Sequence, residues 1–186
     1  DKQGQCSCQT LFTGLFTSVV YNRSIASIPW LRLKADRIMQ RAGYAEQSHN
    51  RKALAHILEK YPRNELFQID IDYLYDIALG ILRLQERQRT ALYTRSDIFG
   101  RFISCLIYVP KDRFDTNLRL RFQALLENDL GGTCTDFYSS IDDAALARLI
   151  YVIDTGRDTA HNFSHKALED RIVEAGRAWS ERLEEV

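Results

Sequence analysis

The sequence predicts an α+β fold: a helical connector followed by a four-stranded antiparallel sheet with its helices on one face. Three observations carry this. Residues 89–95 and 101–110 are rich in β-branched and aromatic side chains, and Ser96-Asp-Ile-Phe-Gly100 between them has the length and glycine of a hairpin loop. Residues 27–87 carry apolar residues at three- and four-residue steps instead, the helical period. From Arg89 onward the patterns then follow the order strand, strand, helix, strand, strand, helix.

In chain order, residues 1–26 read as one strand, from Cys6 to Tyr21, after a turn at Asp1-Lys-Gln-Gly-Gln5. A lone strand cannot satisfy its own backbone groups, so its partners are expected upstream of residue 1. Residues 27–88 read as a connector of three helices. Pro29 suits a first helical turn, Leu31, Ala35, Ile38, Met39 and Ala42 form its stripe, and Gly43 suits the position past its end. Ser48 can cap a second helix bearing Leu54, Ile57, Leu58 and Tyr61, which Pro62 closes. Asp70 can cap a third bearing Leu74, Ile77, Ala78, Ile81 and Leu84.

Residues 89–186 form the sheet domain. In the second arm of the hairpin Ile103, Cys105, Ile107 and Val109 point one way, Phe102, Leu106 and Tyr108 the other; neither face is polar enough for water, so this is a central strand. Asp115 or Thr116 can cap a helix with Leu118, Phe122, Leu125 and Leu126 on one side, and Gly131-Gly132 stops it. Residues 133–140 and 145–154 read as strands. Ala144-Ala-Leu-Ala-Arg-Leu would pass as helix on propensity, but Ile150-Tyr-Val-Ile-Asp154 decides for a strand. Ser164 begins a last helix with Leu168, Ile172, Ala175, Trp179 and Leu183 on one side. The order ββαββα closes into a sheet that is a permuted relative of the ferredoxin-like arrangement.

Composition bounds the function. Among 186 residues, 45% hydrophobic content suffices for a core, and 25 basic against 25 acidic residues leave no electrostatic footprint for nucleic acid or an anionic membrane. No apolar run approaches the roughly 20 residues that cross a bilayer, and the first residues have no signal-peptide apolar region, so a cytoplasmic protein is expected. Four cysteines are too few for a disulfide scaffold.

One stretch carries a resemblance. Phe99-Gly-Arg-Phe-Ile-Ser-Cys-Leu-Ile-Tyr-Val-Pro-Lys-Asp-Arg-Phe-Asp-Thr-Asn-Leu-Arg119 is similar to a signature segment in the N-terminal half of the large bacterial NAD-specific glutamate dehydrogenases. Leu11-Phe-Thr-Gly-Leu-Phe-Thr-Ser18, Ile28-Pro-Trp-Leu-Arg-Leu-Lys34 and Tyr61-Pro-Arg-Asn-Glu-Leu-Phe-Gln68 extend it in the order that family shows. The resemblance implies a regulatory and assembly piece: the last strand of a PAS-like module, a helical connector, and an ACT-like domain. It implies NAD in the parent enzyme and none in this piece, with other domains of the same polypeptide, further copies of it and an amino-acid or dicarboxylate effector as partners. The permuted strand order puts in doubt any carry-over of the usual ACT ligand position.

No residue pattern points to catalysis or to a cofactor. No phosphate-binding glycine loop occurs. Cys6 and Cys8, or His161 and His165 four apart, fall short of the about four ligands that zinc takes. His49 and His56 read as surface residues. A small anionic effector would suit Lys111, Arg113 and Thr116, before a helix N-terminus, unless Asp112 and Asp115 neutralise the cations and cap the helix. Arg83, Arg87 and Arg89, interrupted by Glu86, read as a solvated linker face. The alternative to the dehydrogenase piece is a free-standing ferredoxin-like module binding a protein or RNA, for which Tyr93, Phe102 and Tyr108 would have to be exposed.

Overall fold

The computed structural model describes residues 10, 14–141, 144–156 and 163–177. The chain divides into two compact units, residues 1–71 and 72–186.

The first unit holds α1 (Ser18–Asn22), α2 (Pro29–Ala42), α3 (His49–Lys60) and α4 (Arg63–Gln68). Pro29 takes the first turn of α2 and Gly43 ends it at φ 64°, the left-handed region where a Cβ would be strained. The Ser48 hydroxyl caps α3 by accepting from the Arg51 amide at 3.2 Å. The strand expected over residues 6–21 is corrected in its described part: Ser18–Asn22 is one helical segment, and its donors are met locally by Val20 N to Thr17 O and Arg23 N to Val19 O. Cys6 and Cys8 lie outside the described residues.

α4 has no counterpart in the sequence reading, because Pro62 reads as a stop although it equally precedes a start. Buried Lys34 fixes α4 to α2, its Nζ donating to Leu66 O at 2.8 Å and Ile69 O at 2.7 Å. An ammonium group there meets carbonyls that the helix end leaves without amides.

The second unit contains almost all of α5 (Ile71–Glu86), then β1 (Ala91–Ser96), β2 (Phe102–Pro110), α6 (Thr116–Leu130), β3 (Thr133–Ser140), β4 (Leu146–Asp154) and α7 (His165–Ala175). The sheet order is β1-β2-β4-β3 and every pairing is antiparallel. This is the predicted ββαββα sheet.

Ile103, Cys105, Ile107 and Val109 of β2 stand opposite Ile153, Tyr151, Leu149 and Ala147 of β4, and all eight are fully buried. They pack with Leu118, Phe122, Leu126 and Leu130 of α6 and Leu168 and Ile172 of α7. Asp115 caps α6 through the Leu118 amide at 2.6 Å, and Ser164 caps α7. Gly132 is required by packing: a Cβ there would come 2.4 Å from the Asp154 carbonyl oxygen.

The two helices of the ββαββα unit, α6 and α7, lie on one face as expected, and α5, read as the last connector helix, lies against the sheet as well. The Tyr73 hydroxyl donates to Thr94 O, and Gly80 lies so close to Tyr93 that an added Cβ would meet the phenol oxygen at 2.5 Å. Tyr93 points away from Leu92 and the α6/α7 core. α5 therefore covers the opposite face at β1 and β2. Its buried residues explain this: Leu74, Ile77, Ala78, Ile81, Leu82 and Leu84 form a broader apolar surface than a solvated connector needs.

Candidate functional site

Two basic places sit on the second unit, and their surroundings differ. The first follows β2. Lys111–Arg113 is a single 3-10 turn, anchored by Lys111 N donating to Ala145 O at 2.9 Å. Thr116 is the first residue of α6, and the carboxylate of Asp115 already takes the Leu118 amide. The chain thus supplies its own anion at the position where Lys111, Arg113 and Thr116 were expected to receive one.

The second place is the C-terminal end of α5. Arg83 and Arg87 lie one turn apart, with the Arg87 amide donating to Arg83 O at 3.2 Å, and Arg89 follows just beyond. Among the described residues, Arg83, Leu84, Glu86, Arg87 and Arg89 line a cavity of about 440 Å³. The sequence showed the three arginines but not the cavity.

A smaller cavity of about 260 Å³ opens near the same helix end, between Ile81, Gln85 and Gln88 of α5 and its following turn, and Tyr108, Ala144, Ala145 and Leu146.

The hairpin tip is built around Asp97. Its buried carboxylate accepts from Arg101 Nε at 2.7 Å and from the Phe99 amide at 3.2 Å, while Gly100 turns the chain at φ 66°. The hydrogen-bonded Arg101 guanidinium holds the Asp97 carboxyl below the usual carboxylate range. Ile98 and Phe99 remain 83% and 69% exposed at the tip.

The other singled-out residues disperse. His49 and His56 lie on α3, His165 opens α7, and His161 lies outside the described residues. Cys105 is a buried free thiol, and burial raises the pKa of Cys134. Among the described residues no group of three or more His, Cys, Asp or Glu could hold a metal, and no helix is long and apolar enough to cross a membrane. Of the aromatics that RNA stacking would use, Tyr108 is only 8% exposed, Tyr93 lies against α5 and Phe102 is half-buried.

Comparison with known proteins gives one answer along the whole chain. Residues 28–87 match glutamate dehydrogenase helical motif 1, and residues 91–180 match the glutamate dehydrogenase ACT2 domain. The chain is 42% identical over 183 residues to an NAD-specific glutamate dehydrogenase of Halomonas elongata and 36% identical over 181 residues to one of Pseudomonas aeruginosa. It is 26% identical over 184 residues to one of Mycobacterium tuberculosis. These alignments cover 98%, 97% and 92% of the chain, and the chain spans 11% of the length of each relative. The chain belongs to the glutamate dehydrogenase family, as a stretch carrying helical motif 1 followed by the ACT2 domain.

Proposed function

We propose that this chain is a non-catalytic regulatory and assembly segment of an NAD-dependent glutamate dehydrogenase. The whole enzyme would convert L-glutamate, NAD and water to 2-oxoglutarate, ammonia and NADH. The observation that carries this reading is an alignment along 98% of the chain that occupies only 11% of a relative named for that activity. The fold supports it: dinucleotide sites form at the glycine-rich turn from a parallel strand into a helix, whereas among the described residues every strand pairing is antiparallel.

Other domains of the same polypeptide and further copies of it are the partners this reading requires. A carboxylate effector at Lys111, Arg113 and Thr116 would sit beside the Asp115 carboxylate that caps the Leu118 amide. The test is glutamate-dependent NADH formation, followed at 340 nm. Full-length protein is expected to show it and the purified chain to show none; NADH formed by the chain alone would overturn the assignment.

A further inference from the structure

We propose that Arg83, Arg87 and Arg89 form a binding site for a small oxyanion ligand carrying at least two negative charges, either a polycarboxylate or a phosphoryl compound. The inference goes beyond the proposed function, because binding would stand whatever its effect on dehydrogenase rate.

The argument rests on charge and shape together. Some helical cations pair within a turn, such as Lys166 with Asp170 at 2.7 Å and Arg63 with Glu59 at 3.3 Å. At the α5 terminus no such pair forms among the described residues. None of the side chains of Arg83, Arg87 and Arg89 makes a hydrogen bond or ion pair to a described residue, although Glu86 lines the same cavity. Like charges one turn apart destabilise a helix by about 0.2–0.5 kcal/mol, a repulsion that a bound anion removes.

The partial negative charge of a helix C-terminus accounts for a basic last turn but is only about half an elementary charge. Among the described lining residues, three guanidiniums stand against that half charge and the Glu86 carboxylate, a positive excess. A volume of about 440 Å³ falls within the range of small-molecule sites. Guanidinium forks match carboxylate and phosphate oxygens two at a time, which gives such a site geometric selectivity over chloride.

The experiment is isothermal titration calorimetry of the full-length protein in saturating NAD at low ionic strength. Sodium pyrophosphate and sodium succinate serve as probes, against the parent and the Arg83→Gln/Arg87→Gln/Arg89→Gln triple variant. At least one probe is expected to bind the parent with an affinity that falls with added salt. Arg87→Gln should weaken it about ten-fold, and the triple variant should lose that event. Pyrophosphate heat alone assigns a phosphoryl ligand, succinate heat alone a carboxylate. Thermal melting guards against misfolding: without probe the triple variant should melt no lower than the parent, and the binding probe should raise the melting point of the parent only. Titrations identical for parent and triple variant, with either probe, overturn the site.

Discussion

The two faces of the sheet are built to different ends. The face toward α6 and α7 is continuous hydrocarbon, four β2–β4 rungs from Ile103–Ile153 to Val109–Ala147 without an exposed atom. The Tyr151 hydroxyl leaves the core to donate to Arg119 O at 3.0 Å. The face toward α5 carries Tyr93, Arg95, Ser104 and Tyr108 among its buried or half-buried residues, and it has cavities at the end of its helix. Farther along, Tyr138 of β3 is 56% exposed. Close packing stabilises and admits no ligand, whereas a face of mixed polarity under one helix leaves space at its margins. The first face holds the domain together, and the second is where binding is to be sought.

The sharpest way to break this contrast is to open the first face. Phe122 is fully buried in the core cluster, and Phe122→Ala should cost about 3–5 kcal/mol in chemical denaturation. A loss below about 1 kcal/mol would mean that α6 is not the principal cover of the sheet.

The second face is probed by filling space. Gly80→Ala drives a methyl group to 2.5 Å from the Tyr93 oxygen. Overpacking of that kind costs about 1–3 kcal/mol, and replacing a helical glycine returns about 1 kcal/mol. The net loss should be up to about 2 kcal/mol. Tyr93→Phe removes the clashing atom and leaves ring carbons at 3.2 Å, so the double variant should return to parental stability or exceed it. Two single effects that merely add would show that α5 does not rest on Tyr93.

The contrast also explains what the sequence could disclose. Period and punctuation fix elements locally: Pro29, Gly43, Ser48, Asp115, Gly131 and Ser164 each end or begin a helix where residue chemistry placed them. The first face was readable because every second residue of β2 is apolar and α6 repeats Leu118, Phe122, Leu126 and Leu130 at i, i+4. The second face was not. Its other cover, α5, carries apolar residues on more than one side, and nothing local says that one side will meet Tyr93. The strand propensity of Val19-Val20-Tyr21 misled because the described part of that segment has no partner strand, and a short helix satisfies its amides instead. The effector position at Lys111, Arg113 and Thr116 was legible as charge before a helix. Whether Asp115 would turn its carboxylate onto the Leu118 amide depended on a single side-chain rotamer.

A smaller effect separates the two faces by titration. Burial raises the pKa of Tyr93 on one face and of Tyr151 on the other well above the usual phenol value. In the unfolded chain each phenol ionises near pH 10, while the folded chain keeps its proton. The unfolded state then binds fewer protons than the folded one, so stability is fully present below about pH 10 and falls as pH rises beyond it. Each tyrosine contributes a slope of at most about 1.4 kcal/mol per pH unit. At neutral pH, Tyr151→Phe forfeits the bond to Arg119 O and should cost about 0.5–1.5 kcal/mol. Tyr93→Phe should be near neutral there, and denaturation midpoints between pH 7 and 11 should show both variants losing less stability than the parent above pH 10. Parallel curves for parent and Tyr93→Phe would mean that water reaches the Tyr93 phenol, and the α5 face would then be an open surface instead of a covered one.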